Sequence, residues 1–354
     1  MLKGKVMDER AKKILMAVVE SYIQRLDPVG SRHIAKKYGF DISSATIRNV
    51  MADLEELGYL LQPHTSAGRI PTDKGYRFYV NNILKEQVKV NEGLLKELMK
   101  KLQEMKDSID LLLERTARSL AHITNYVSLA SHPFTGDTII KRIDIKKLNN
   151  SQILFSFETA EGNLKRRILD IPVTISQNEL NEAVMYINSM FSGYSLKEIR
   201  EHIFYEIERE KVACDALISK ALRLCREALL AEDMLFVYGF SQVFELPDFL
   251  NITKIKELIK AIENKHLILN LLDELIYKSD GMKVIIGSEN QIKEMHDFSI
   301  VASTYYEMDR PVGAICLIGP KRMDYGKAIS IVKAVSEFIT NLLSDRRKTW
   351  LTRN

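Results

Sequence analysis

Thiols are scarce in this chain. Its 354 residues include three cysteines, Cys214, Cys225 and Cys316, and none has a cysteine or histidine at metal-ligand spacing. So sparse a set excludes a disulfide scaffold and a zinc module. Cys214 and Cys225 stand three helical turns apart and are predicted to share one buried helix face. No apolar run approaches the roughly 20 residues that cross a bilayer. The opening MLKGKVMDER has charge but no apolar stretch, so neither a membrane span nor a secretory signal is expected. Also missing are a P-loop, a dinucleotide fingerprint, HExxH, GxSxG and CxxC, and the seven histidines are scattered. Without a nucleophile–base pair or a ligand set, the expectation is a cytoplasmic protein that is not an enzyme and holds no metal and no cofactor. Gly319-Pro320-Lys321-Arg322 offers a glycine and two cations, yet it lacks the glycine–lysine pair of a phosphate loop and reads as a surface turn.

Positive charge, by contrast, is gathered at one end. Residues 1–90 contain 15 Lys and Arg against 10 Asp and Glu, whereas the rest contains 36 against 37. A modestly basic module joined to a near-neutral body suits a protein that meets a polyanion through one part only.

That module has a definite element order. From Asp8 to Leu26, Ile14, Leu15, Val18, Val19, Tyr22 and Ile23 recur at helical spacing, and Asp27-Pro28 ends the helix. Ser31 is predicted to cap a second helix, closed by Gly39. After a short connection, Ser43 or Ser44 caps a third that runs to Leu57. Its inward face is Ile47, Val50, Met51, Leu54 and Leu57. Its outward face carries Ala45, Asn49, Ala52 and Glu56, with Thr46 and Arg48 on the flanks. Two helices joined tightly and followed by a strand pair make a winged helix-turn-helix, which lays its second helix in the major groove of DNA. Arg48 can bond guanine through two N–H groups, Asn49 can do the same with adenine, and Ala45 permits close approach. Ser44 and Thr46, at the helix start, suit phosphate. The polar loop Pro63–Arg69 is the wing, where His64, Thr65, Ser66 and Arg69 are candidate backbone or minor-groove contacts. Lys74 and Arg77 on the next helix are candidates for further backbone contacts.

Residues 81–123 read as one or two helices with an apolar seam of Leu94, Leu95, Leu98, Leu102, Met105, Ile109, Leu112 and Leu113. Two readings stay open, a dimer-spacing helix or a helix packed on its own domain. From Tyr126 the period shortens. YVSLAS, DTIIKRIDIKKL, SQILFSFET and LKRRILDIP predict one antiparallel meander, turning at Asn149-Asn150 and at Glu161–Asn163. Ser176 with Glu179 and Ser195 with Glu198 are capping boxes. They open a mainly helical block, with helices near 177–191, 196–210, 211–231 and 253–277 and one strand, MLFVYGF, among them. The strands MKVIIGS, FSIVASTYY and PVGAICLIG then return, and a helix over about 324–344 ends the series. A strand series interrupted by a helical block predicts an α+β chain with one domain inserted into another.

The run SSATIRNVMADLEELGYLLQPHTSAGRIPTDKGYRFYV closely resembles the N-terminal signature of HrcA-type heat-inducible transcription repressors, through TIR, LEELG, HTSAGR and GYRFYV. The likeness is dense over residues 5–85 and weaker in ASTYY and PVGAICLIGPKRMDY. It implies a winged helix-turn-helix domain at 1–85 and a linker helix plus GAF-like domain at 86–174 and 279–354. It further implies an inserted dimerising domain at 175–278. A homodimer would bind the CIRCE inverted-repeat operator ahead of groE- and dnaK-type chaperone operons until heat inactivates it. The GroE chaperonin would help maintain the active form. A near-neutral body has little charge repulsion to keep a partly opened molecule soluble, which accords with such help. The same architecture leaves room for a second reading, a winged-helix regulator gated by a metabolite.

Overall fold

The computed structural model describes residues 7–65, 67–85, 92–104, 108–131, 138–170, 175–196, 198–199, 202, 235–249, 252–263, 268, 271–272, 281–307 and 310–351. Helix α1 (Glu9–Arg25) begins where Asp8 accepts the Ala11 N–H at 2.7 Å. It ends at Leu26, whose left-handed conformation sends its N–H back to the Tyr22 carbonyl. In α2 (Ser31–Tyr38) the N-cap is Gly30, not Ser31, and no side chain caps the helix; Gly39 closes it as expected. Helix α3 (Ser44–Glu56) is capped by Ser43, whose Oγ accepts the Thr46 N–H at 3.1 Å. Ile14, Leu15 and Val18 of α1, Ile34 of α2 and Ile47, Met51 and Leu54 of α3 bury one another. Each such side chain contributes about 1.5–3 kcal/mol by leaving water. Strands β1 (Leu60–Leu61) and β2 (Ile70–Pro71) pair antiparallel, and Thr72 caps α4 (Asp73–Ile83).

Helices α5 (Glu92–Gln103) and α6 (Ile109–Thr124) extend this core rather than leave it. Leu98, Leu102, Leu112, Leu113, Ala117 and Leu120 are buried in it. Packing on the chain's own domain is therefore what these seam leucines do. Met105 lies outside the described residues.

The body is a five-stranded antiparallel sheet. Strands β3 (Val127–Ser131), β7 (Leu235–Tyr238), β8 (Met282–Ile286), β9 (Phe298–Glu307) and β10 (Arg310–Pro320) stand in the order β7-β3-β10-β9-β8. Side chains alternate between its faces, and both faces are apolar. Ala130, Val284, Val301, Tyr305, Ile315 and Leu317 share a core with α6 and the last helix, α10 (Tyr325–Leu351). Leu129, Ile285, Ile300, Ala302, Cys316 and Ile318 meet α9 (Ile252–Glu263), Val243 of the short α8 (Phe240–Val243) and Leu272. Burial pushes the Cys316 thiol well above its ordinary range.

The predicted single meander divides. Only β4 (Ile140–Lys147), β5 (Gln152–Thr159) and β6 (Leu164–Asp170) form it, as a separate three-stranded sheet, while β3 joins the five-stranded one. Ile143, Ile145, Phe155 and Phe157 meet Leu180, Ala183, Ile187 and Phe191 of α7 (Gln177–Phe191) in a core of their own. The capping box of Ser176 and Glu179 opens that helix. Asn188 on α7 exchanges hydrogen bonds with both backbone groups of Ile143, at 2.8 and 2.7 Å, and so covers the outer edge of β4. The boundary at 174/175 thus falls inside this second core, and β7 and α9, placed in the insert by the sequence, lie on the large sheet. The physical reason is that a period of two is the same in either sheet; which helix covers a strand is decided by distant chain. The strand series of the large sheet is interrupted between Ser131 and Leu235. Cys214, Cys225 and the helix predicted near 211–231 lie outside the described residues.

Candidate nucleic-acid interface

The third helix presents the face that its spacing requires. Ile47, Met51 and Leu54 are buried, whereas Ala45, Arg48, Asn49 and Glu56 are exposed. No described residue bonds to the side chain of Arg48 or Asn49, so both remain available to a partner outside the chain. Ser44 and Thr46 are half-buried. Thr46 directs its N–H to Ser43 Oγ, and its hydroxyl lies 2.9 Å from that atom. It therefore completes the cap as well as standing near the candidate surface.

The far end of α3 is firmly closed. Gly58, with φ of 77°, sends its N–H to Glu55 O at 2.9 Å, and Tyr59 sends its own to Leu54 O at 2.9 Å. This paired C-terminal motif needs a left-handed residue, which glycine adopts without strain. Lys74 Nζ donates to Leu57 O at 2.8 Å and stands 4.3 Å from the Tyr59 ring centre. A cation there complements the negative end of the helix. Lys74, predicted as a backbone contact, is thus exposed and bonded at the end of the reading helix.

Glu55, which the sequence reading passed over, holds the wing. Its Oε1 accepts the Gln62 N–H at 3.1 Å and its Oε2 stands 2.7 Å from Arg69 Nε. Gln62 in turn donates to the carbonyls of Thr65 and Ala67 at 2.9 and 3.0 Å, across the loop. Arg69 and Val29 exchange both backbone hydrogen bonds at 2.9 Å. Gly68 lies against that bridge, where a side-chain carbon would collide with the Val29 carbonyl. Arg69, predicted as a DNA contact, is only 16% exposed and anchors the wing. His64 and Thr65 are exposed at the tip; Ser66 lies outside the described residues.

Arg77 is likewise turned inward. Its Nε donates to Glu289 Oε1 at 2.7 Å, and its Nη2 donates to Val284 O at 2.7 Å and to Glu289 Oε2. It therefore covers a carbonyl on the edge strand β8, and its guanidinium is committed to the body.

Two cations that the sequence reading did not single out take the open positions. Arg32 and Lys36 are exposed on α2, one turn apart, and no described residue bonds to either side chain. The signal was present as i,i+4 spacing opposite buried Ile34. Beside them, Arg25 Nη1 lies 2.8 Å from His33 Nδ1. Burial, then the charges of Arg25 and Lys37, push His33 below the ordinary imidazole range. A neutral ring can accept at Nδ1 from a guanidinium, which only donates.

A cleft of about 530 Å³ opens between the wing root and the body. Three of its four cations are paired with carboxylates, Lys321 with Asp73 at 2.8 Å, Lys254 with Asp297 at 3.2 Å and Arg322 with Asp248, and the fourth, Lys74, donates to the Leu57 carbonyl. The Gly319–Arg322 turn, expected at the surface, thus faces the first domain and the body. Among the described residues no cluster of His, Cys, Asp and Glu is arranged to hold a metal ion, and no helix is long and apolar enough to cross a membrane.

An exposed polar helix face backed by a helix-turn-helix core and flanked by an anchored wing defines a winged-helix DNA-binding protein with a large C-terminal body. Residues 7–85 match the family described as winged helix-turn-helix transcription repressor, HrcA DNA-binding, and residues 110–329 match HrcA protein C terminal domain. The chain belongs to the HrcA family. It is 43% identical over 349 residues to the heat-inducible transcription repressor HrcA of Thermodesulfovibrio yellowstonii, covering 97% of this chain and 100% of that protein. The protein of the same name from Geobacter sulfurreducens is 35% identical over 336 residues, covering 95% and 98%. A crystal structure described as a hypothetical protein shares the fold, with a TM-score of 0.61 and 24% identity over 96% of this chain and 99% of that one.

Proposed function

We propose that this chain is a cytoplasmic, heat-inducible transcription repressor that acts as a homodimer. Each protomer's α3 takes one half of the CIRCE inverted repeat ahead of groE- and dnaK-type chaperone operons. Arg48 and Asn49 read bases, with Ala45 allowing close approach. Ser44, Thr46, His64, Thr65 and Ser66 serve the phosphates, joined by Arg32 and Lys36. Occupying the operator excludes polymerase until heat inactivates the protein, and GroE chaperonin helps maintain the active form. The five-stranded body is read as GAF-like, supported by its strand order of second, first, fifth, fourth, third with helices on both faces. The segment between Ser131 and Leu235 is assigned to dimerisation.

The observation that carries this reading is the pair Arg48 and Asn49, exposed on the flank and outward face of α3 with no described residue bonded to either side chain. Footprinting on the operator before and after heating, with and without chaperonin, tests it. Both half-sites should be protected, protection should fall on heating, and chaperonin should restore it. Equal protection of a scrambled sequence would overturn the reading.

A further inference from the structure

Helix α4 starts directly after the wing, and Asp73, Tyr76 and Arg77 line one of its faces. That face meets the body at one corner of the large sheet. Asp73 accepts from Ser288 N at 2.9 Å and Ser288 Oγ at 2.8 Å, and pairs with Lys321 Nζ at 2.8 Å. One turn on, Arg77 grips Glu289 and the Val284 carbonyl. Glu289 is itself held, because its Oε2 accepts the Ile286 N–H at 2.9 Å. Between the two polar grips the buried Tyr76 ring lies 6.0 Å from that of Tyr325, which is also buried. On the other side, α4 is tied to α3: Lys74 reaches Leu57 O, and Thr72 Oγ1 donates to Gly58 O at 2.7 Å. Hydrogen bonds and buried rings therefore run without a break from the reading helix to the sheet, where a flexible linker would have left the head free.

We propose that Asp73 and Arg77, with Ser288, Glu289 and Lys321, are positioning residues that set which half-site spacing the protein accepts. They fix the direction of α3 relative to its body. Two bodies held together then present two reading helices at one distance and one phase. The inference rests on the dimeric reading given above. A head on a flexible tether tolerates altered spacing, because the effective concentration of the second head falls gently with span. A rigidly mounted head loses the second contact as soon as geometry forbids simultaneous engagement. Adding about five base pairs between the half-sites turns one of them to the opposite side of the duplex.

The test measures binding of the full-length protein to three duplexes: the inverted repeat, the repeat lengthened by about half a helical turn, and a single half-site. The wild-type chain should lose about 100-fold or more on lengthening, the loss of its second contact. Glu289→Arg, which sets two cations against each other, and Asp73→Ala should each lose less than about tenfold on the same change. Both should bind the single half-site within about twofold of wild type, because neither substitution removes Thr72 or Lys74, which hold α4 to α3, or a side chain assigned to DNA. Adding Arg77→Glu to Glu289→Arg should recover part of the spacing requirement, because the ion pair returns while the Val284 carbonyl and the Ile286 N–H lose their partners. Variants that keep the wild-type spacing profile overturn the positioning role, and so do variants that lose half-site binding, which would mark these residues as supports of the head's own fold. A wild-type chain that binds the repeat no better than the half-site overturns the dimeric reading and this inference with it.

Discussion

Arg69 Nε rests 2.7 Å from Glu55 Oε2, which ties the root of the wing to the last turn of the reading helix. An arginine that met phosphate would gain from losing the nearby carboxylate. One that anchors the wing would not. Glu55→Ala and Arg69→Ala are therefore expected to weaken operator binding alike, by about 1 kcal/mol each, and to be non-additive when combined. Binding isotherms on the two single variants and the double variant check this. A neutral or tighter-binding Glu55→Ala would return Arg69 to the phosphates.

Arg48→Ala and Asn49→Ala are each expected to cost about 1–3 kcal/mol of operator binding and to relax base preference at one position. Competition among single-base operator variants gives the measurement. Wild-type affinity in Arg48→Ala would place the reading face elsewhere.

Salt dependence separates the cations that face DNA from those that face the protein. Arg32→Ala and Lys36→Ala should each lower the slope of log affinity against log salt by about 1, on specific and nonspecific DNA alike. Lys74→Gln should leave the slope unchanged, since its ammonium is bonded to Leu57 O. It should instead lower thermal stability slightly, by about 0.3–1 kcal/mol, through loss of a cation at the helix end.

Asp73 gives the attachment of the winged helix a defined pH response. Burial works against its ionisation, but Lys321 and the two donors of Ser288 outweigh burial and hold its carboxyl below the ordinary aspartate value of 3.8. A carboxylate whose folded pKa is depressed adds stability that is complete above the unfolded value and vanishes as pH falls through the folded one. The stability difference between wild type and Asp73→Asn should accordingly be constant near neutrality and shrink only below about pH 4. Thermal melts across pH read this directly, and a difference that shrank between about pH 6 and 8 would point to another group.

Much of the reading head was legible in the sequence because its determinants are local. A helix repeats every 3.6 residues, so Ile47, Met51 and Leu54 had to lie opposite Ala45 and Asn49, with Arg48 on the flank between them, and the structure buries the first three and exposes the others. The capping box of Ser176 and Glu179 and the alternation along β5 were equally local. Tertiary structure alone decided what each cation meets. Arg48, Arg69, Lys74 and Arg77 look alike as basic residues in one basic segment. Arg69 finds Glu55 on a different element and Arg77 finds Glu289, 212 residues away, while Arg48 finds no described partner. An ion pair is made between side chains that folding brings together, and sequence spacing carries no record of it beyond a turn or two. The strands divided for the same reason: alternation states that a strand has two faces, and only the packed chain states which sheet it joins and which helix covers it.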